Sequence, residues 1–139
     1  KGVLDIQIPA YKVEAELIQF NEIPQLYDTE ESLVDCGETF LGFVSEGILQ
    51  GVLAFCENDH QMEICRLVVH PIYFNRGIAT ELLSFFLKEF VRVGEQVKVS
   101  TGAANHPAKA LYKKFGFIEI KNREVAPDVS ITELHMTKA

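Results

Sequence analysis

Residues 63–83 hold the densest set of groups that could do chemistry. The run Glu63-Ile64-Cys65-Arg66-Leu67-Val68-Val69-His70-Pro71 sets a carboxylate, a thiol and a guanidinium in an apolar strand pattern ended by proline. A basic turn with one glycine follows, Ile72-Tyr73-Phe74-Asn75-Arg76-Gly77-Ile78-Ala79-Thr80, and then a helix pattern opening Glu81-Leu82-Leu83. Strand, tight turn and helix N-terminus in that order aim several unpaired backbone N–H groups at one point. The helix dipole adds roughly half a positive charge there, which suits a phosphate. Gly77 permits close backbone approach, Ala79 keeps the next turn narrow, and Arg76 can add a charge-assisted contact. Taken alone, the turn fits a strand-to-helix connection with no ligand at least as well.

The elements that must position this turn can be read on both sides of it. Ile6 and Ile8 alternate with polar neighbours and predict a short first strand closed by Pro9. Apolar residues from Tyr11 to Leu26 fall irregularly and predict one or two helical turns, interrupted or restarted at Pro24. Residues 28–38 are acidic and predict a loop or short helix, either a solvated connector or a border of a substrate entrance. Phe40–Val44 and Ile48–Phe55 flank Ser45-Glu46-Gly47 as a hairpin, and Met62–Val69 adds a third antiparallel strand. Ile78, Leu82, Phe86 and Phe90 form one helical stripe, stopped by Gly94. Gln96–Thr101 is the next strand. Asn105 is an N-cap, Pro107 sits in the first turn, and Ala108, Leu111, Tyr112 and Phe115 keep helical spacing to Gly116. Phe117–Val125 and Ile131–Met136 close the chain as two strands around Ala126-Pro127-Asp128. No repeat or linker divides residues 1–139, so the expectation is one α/β (α+β) domain with a mixed sheet.

Composition narrows the function classes. The 139 residues carry 20 acidic and 13 basic side chains, for a formal net charge of −7. That balance disfavours nucleic-acid binding, which relies on clustered Lys and Arg, and would attract cationic partners such as amines. No apolar run approaches the ~18–20 residues that cross a bilayer, and no signal-peptide pattern opens the chain. Three cysteines at no disulfide spacing read as reduced thiols, so the expected compartment is cytoplasmic. Cys56, His60, Cys65 and His70 fit no zinc spacing, and no metal is expected. His106 and His135 read as surface or capping residues, and Lys113 and Lys114 as favourable charges at a helix C-terminus.

Two segments resemble the GCN5-related N-acetyltransferases (GNAT). The family signature is Gln/Arg-x-x-Gly-x-Gly/Ala after a strand ending Val-x-Pro, and Val69-His70-Pro71 with Gly77-Ile78-Ala79 matches it. Phe74 departs from it, standing where Gln or Arg is usual. The second segment, Asn105-His106-Pro107-Ala108-Lys109-Ala110-Leu111-Tyr112-Lys113-Lys114-Phe115-Gly116-Phe117, is similar to Asn-x-x-Ala-x-x-Leu-Tyr-x-x-x-Gly-Phe. Together the motifs span residues 62–117, and their joint match displaces the connector reading.

The resemblance implies a mostly antiparallel sheet flanked by helices, with a splayed strand pair that holds acetyl-CoA. Backbone groups of Leu67, Val68 and Val69 would take the pantetheine arm like an added strand. Phe74, Asn75, Arg76, Gly77, Ile78, Ala79 and Thr80 would surround the pyrophosphate, and Asn105 would bond the pantetheine region. Tyr112 matches the tyrosine that protonates the leaving thiolate, although its spacing also fits a core residue. Glu63, 14 residues before Gly77, sits at the spacing of the base glutamate in the histone-acetyltransferase branch. By strand alternation it would share a face with Cys65, Leu67 and Val69. The alternative is an edge-exposed or ion-paired Glu63, with a water chain or another acid as base. Cys65 reads as a small buried hydrophobe rather than an acetylated nucleophile.

The implied reaction is transfer of acetyl from acetyl-CoA to a primary amine in a ternary complex, without a metal. The acceptor is a small-molecule or protein amine; a polyamine, aminoglycoside, amino acid or protein N-terminus fits the acidic stretch equally. Neither membrane nor nucleic acid is an expected partner, and homodimers are common in families of this kind. The alternatives are a catalytically silent acyl-CoA-binding regulatory module, which Phe74 favours, and a dinucleotide-binding domain. The latter would need Gly-x-Gly-x-x-Gly after the first strand, where this chain has Gly77 alone in mid-sequence.

Overall fold

The computed structural model describes residues 2–18, 29, 32, 37–58 and 61–138. In chain order the elements are α1 (Gly2–Ile18), β1 (Thr39–Ser45), β2 (Ile48–Asn58), β3 (Gln61–Val69), a 3₁₀ turn (Pro71–Tyr73), α2 (Ile78–Glu89), β4 (Gln96–Gly102), α3 (His106–Lys114), β5 (Ile118–Ala126) and β6 (Val129–Thr137). One six-stranded sheet of order β1-β2-β3-β4-β6-β5 results. Every neighbouring pair is antiparallel except β3 and β4. The mixed, mostly antiparallel sheet flanked by helices is the predicted architecture.

Local chemistry accounts for most joints. Glu46 and Gly47, with φ of 53° and 76°, make the two-residue turn whose twist matches that of the paired β1 and β2. Ile78, Leu82, Leu83 and Phe86 form the buried face of α2, which packs on Leu53, Phe55 and Ile64. Gly51 lets α2 come close: a Cβ there would lie 2.8 Å from Ile78 Cγ2 and 3.2 Å from the Val68 carbonyl oxygen. The Lys138 ammonium donates to the carbonyls of Leu87 at 2.6 Å and Val91 at 2.7 Å, satisfying acceptors that the end of α2 leaves open.

The short strand predicted at Ile6–Ile8 does not form. Residues 2–18 are one helix that runs through Pro9. Val3, Ile6, Gln7, Ala10 and Tyr11 recur at about 3.6-residue spacing, and Ile6 and Tyr11 pack on Val52 and Val68. A proline in a helix interior costs about 3 kcal/mol, whereas each buried aliphatic side chain gains about 1.5–3 kcal/mol. Three such side chains, Ile6, Val52 and Val68, outweigh the break. The helical turns predicted from Tyr11 onward extend α1 to Ile18. The rest of that stretch and most of residues 28–38 lie outside the described residues, as does His60.

Glu38, at the end of the acidic stretch read as either a solvated connector or a border of a substrate entrance, is largely buried against Arg66. Nε and Nη2 of Arg66 donate to the two Glu38 carboxylate oxygens at 2.7 and 2.9 Å, and Nη1 donates to Gln7 Oε1 at 3.0 Å. Side-chain exposures of 7% and 13% put this bidentate pair out of reach of full solvent screening. It ties α1 and the entry to β1 onto β3. Arg66→Ala should therefore cost about 3–5 kcal/mol in urea denaturation, because Glu38 would keep its charge without a partner. Pairing Arg66→Met with Glu38→Leu should recover most of that loss. A single-variant loss below about 1 kcal/mol would mean that the pair behaves like a surface one.

Candidate active site

The site begins where β3 and β4 part. They pair only from Gln61↔Gln96 to Ile64↔Val99. Beyond that rung β3 stays on β2 through Val69, and β4 stays on β6 through Gly102, so the two parallel strands diverge. The His70 N–H donates to the Gln50 carbonyl at 3.0 Å, which makes the Val69↔Gly51 pair a non-hydrogen-bonded one. By alternation, Leu67↔Leu53 is another. The N–H and C=O groups of Leu67 and Val69 therefore point away from β2 and into the fork.

A cleft of about 280 Å³ opens beside the fork. Its walls are Leu67 and Val69 of β3, Tyr73, Phe74, Asn75 and Gly77 of the turn, Ile78, Ala79 and Thr80 of α2, and Pro107, Ala108, Leu111 and Tyr112 of α3. Most of the residues singled out from the sequence thus meet at one place. Val68 does not; it faces the core beneath α1. Arg76 stands exposed beside the cleft, its guanidinium 5.5 Å from the centre of the Tyr73 ring. Asn105 is buried and acts as the α3 cap: Oδ1 accepts from the Ala108 N–H at 3.3 Å and Nδ2 donates to Thr101 Oγ1 at 3.4 Å. Sequence reasoning missed Tyr73, Pro107, Ala108 and Leu111 as lining residues, and Gly51 as the seat of α2. Only Ala108 and Leu111, by their helical spacing with Tyr112, carried a usable signal.

The turn into α2 forms a cradle of open backbone donors. Asn75 and Gly77 take left-handed backbone angles, φ 64° and 76°. No side chain caps α2, and the Glu81 N–H to Gly77 carbonyl bond, 2.9 Å, is its first full turn. The N–H groups of Ile78, Ala79 and Thr80 therefore have no acceptor within the helix. A Cβ built on Gly77 meets nothing within 4 Å, so the space above the cradle is open.

Tyr112 is held by the end of its own helix. The Phe117 N–H donates to the Tyr112 carbonyl at 3.1 Å, and the Gly116 N–H to the Lys113 carbonyl at 3.1 Å. With Gly116 left-handed at φ 93°, this is a Schellman cap, and the Tyr112 and Phe117 rings supply its apolar contact at 5.4 Å. Hydrogen bonding from Lys113 and the charge of Lys109 hold Glu119 below the usual carboxylate range, fastening α3 to β5.

Glu63 does not share a face with Leu67 and Val69. Phe55 opposes Ile64 and Ala54 opposes Arg66, so Cys65 is an extra residue bulged out of β3. Ile64 and Leu67 both face the core under α2, while Cys65 and Arg66 both face the α1 side. Glu63 lies on that α1 side too, across from Cys56 on β2 and Lys98 on β4. It flanks the last rungs before the fork, on the opposite face from Tyr112. Burial pushes the Cys65 thiol well above its ordinary range, and the hydrogen bond shared with Cys56 and the charge of Glu38 add to the shift. Among the described residues no cluster of three or more His, Cys, Asp or Glu could hold a metal ion.

The forked parallel pair beside an uncapped helix N-terminus is the arrangement that the resemblance implies. Residues 3–117 match the Acetyltransferase (GNAT) family, and the chain belongs to it. The protein is 36% identical over 136 residues to the UPF0157 protein YqkA of Bacillus subtilis (strain 168), covering 98% of this chain and 39% of that relative's length. The fold also matches the ribosomal-protein-S18-alanine N-acetyltransferase of Escherichia coli, with a TM-score of 0.73 at 17% identity over 98% of this chain and 85% of that one. The PaiA N-acetyltransferase of Thermoplasma acidophilum in complex with coenzyme A matches with a TM-score of 0.65 at 18% identity, covering 95% and 89% of the two chains.

Because Asn105 caps α3, Asn105→Ala should destabilise the fold by about 1 kcal/mol in chemical denaturation, and Asn105→Ser should recover most of that. Equal losses in both variants would show that the amide, rather than the cap, is what matters.

Proposed function

We propose that this domain transfers acetyl from acetyl-CoA to a primary amine by direct attack within a ternary complex. The observation that carries the reading is the fork: unpaired backbone groups of Leu67 and Val69 open onto the same cleft as the α2 cradle and Tyr112. Leu67 and Val69 would pair with the pantetheine amides as a missing strand would. The free N–H groups at the start of α2, with Arg76 beside them, would bind the pyrophosphate. The Phe74 ring contributes apolar wall there in place of the usual polar side chain.

The residues then divide the chemistry between the two faces of the sheet. On the α1 side Glu63 takes a proton from the incoming ammonium, directly or through water, and frees the nitrogen lone pair. As nitrogen bonds to the thioester carbon, a β3 N–H at or near Val69 stabilises the oxyanion. On the α2–α3 side the Tyr112 hydroxyl protonates the departing thiolate. A carboxylate on the amine side also suits a cationic acceptor.

Titration calorimetry with acetyl-CoA and CoA, followed by thiol release over a panel of amines, tests the reading. Micromolar binding with amine-dependent release is the expected result. Binding without release in the whole panel would favour the silent acyl-CoA-binding module, the reading to which Phe74 lends weight. Tyr112→Phe should lower turnover by about 10²–10⁴-fold with acetyl-CoA affinity nearly unchanged, and a drop of only about twofold would remove Tyr112 as the acid. Glu63→Gln should lower turnover by about 10²–10⁴-fold with acetyl-CoA affinity nearly unchanged; a drop of only about twofold would assign the base elsewhere.

A further inference from the structure

The bulge in β3 does more than reverse the faces of the strand. It carries Cys65 back toward Cys56 of β2, whose direct register partner is Glu63. The two Sγ atoms lie 3.5 Å apart, and both residues are half-buried. A disulfide bond is about 2.05 Å long, so a shift of roughly 0.7 Å by each sulfur would close the gap. We propose that Cys56 and Cys65 form a two-electron redox pair that closes to a disulfide on reaction with a hydroperoxide.

The step divides between the two sulfurs. Cys56 acts first: the Asn58 amide donates toward its Sγ at 3.9 Å and would steady a thiolate there. That thiolate attacks the terminal peroxide oxygen, the O–O bond breaks, and the remainder leaves as alcohol or water. Cys56 is left as the sulfenic acid. The Cys65 sulfur then attacks the Cys56 sulfur, the S–O bond breaks, and the hydroxyl departs as water with the Cys65 proton. Two thiols are oxidised by two electrons and one hydroperoxide is reduced, with no other reactant. Cys65 suits the second role. Burial disfavours its thiolate at the outset, but two of the influences that add to this, a hydrogen bond and a charge, come from Cys56 itself. Both change once Cys56 is a neutral sulfenic acid.

Cys65 lies between Glu63 and Leu67, so the crosslink would lock the bulge that sets the amine side of the fork. That consequence rests on the acetyltransfer reading; the thiol chemistry does not. The test uses the full chain exposed to hydrogen peroxide, quenched with iodoacetamide and digested without reduction by a glutamate-specific protease. Cleavage after Glu57 and Glu63 separates the two cysteines, so a disulfide must join two peptides. The expected product is the Cys56 peptide linked to the Cys65 peptide, released by dithiothreitol. Cys65→Ser should stop at a Cys56 sulfenic acid trapped by dimedone, and Cys56→Ser should give no crosslink. Melting curves by circular dichroism establish that each variant is folded, but the wild-type peptide map decides alone. Full alkylation of both cysteines after peroxide, or a crosslink through Cys36 instead, would overturn the proposal.

Discussion

The site depends on one unmet requirement, that every backbone N–H and C=O in a strand finds a partner. β3 and β4 satisfy each other for four rungs and then part, each keeping its other neighbour to the end. In the proposed reading, the groups left open in the fork would pair with an extended ligand without any side chain being spent on it. Because the two strands are parallel, the elements that follow them start at the same end of the sheet. α2 begins beyond the tip of β3 and α3 beyond the tip of β4, so the cradle and a tyrosine-bearing helix flank the gap between the prongs. A continuous antiparallel meander would send these connections to opposite ends.

The Cys65 bulge is the second constraint. Without it, strict alternation would place Glu63 on the same face as Leu67 and Val69, beside Tyr112. The extra residue puts Glu63 and the thiols on the α1 side and leaves the backbone of Leu67 and Val69 in phase with the fork. In the proposed mechanism, amine and thiol would then lie on separate faces of one sheet, with the carbonyl carbon between them. Glu38 and Arg66 reinforce the arrangement, since their buried pair pins the strand one residue beyond the bulge.

Features set by local backbone chemistry were legible in the sequence. Gly47 supplies a left-handed turn residue, Asn105 stands just before a helix and Gly116 just after one; each lies where its type predicts. The Leu-Tyr-x-x-x-Gly-Phe spacing also has a physical cause here, because a Schellman cap brings the tyrosine and the second aromatic residue into contact. What escaped was decided by distant partners. Ile6 and Ile8 read as alternating because the helical repeat is completed by a polar residue, Gln7, whose burial depends on Arg66 59 positions away. A bulge likewise leaves no mark in β3, since it is visible only as a mismatch with the strand beside it.

Charge sets the last point of tension. The chain carries a net −7, yet the ligand proposed for its cleft is a polyanion. At physiological salt the Debye length is about 8 Å, so carboxylates scattered over the surface are largely screened from the cradle. The open N–H groups of Ile78, Ala79 and Thr80 act at contact distance and are not screened in that way. Arg76, stacked against Tyr73, holds the nearby positive charge without crossing the cleft. The Phe74 N–H is itself spent on the Pro71 carbonyl at 3.2 Å, so the open donors of the turn are those of Ile78, Ala79 and Thr80. In the proposed reading the phosphate end rests on these backbone donors, whereas the catalytic end rests on single side chains.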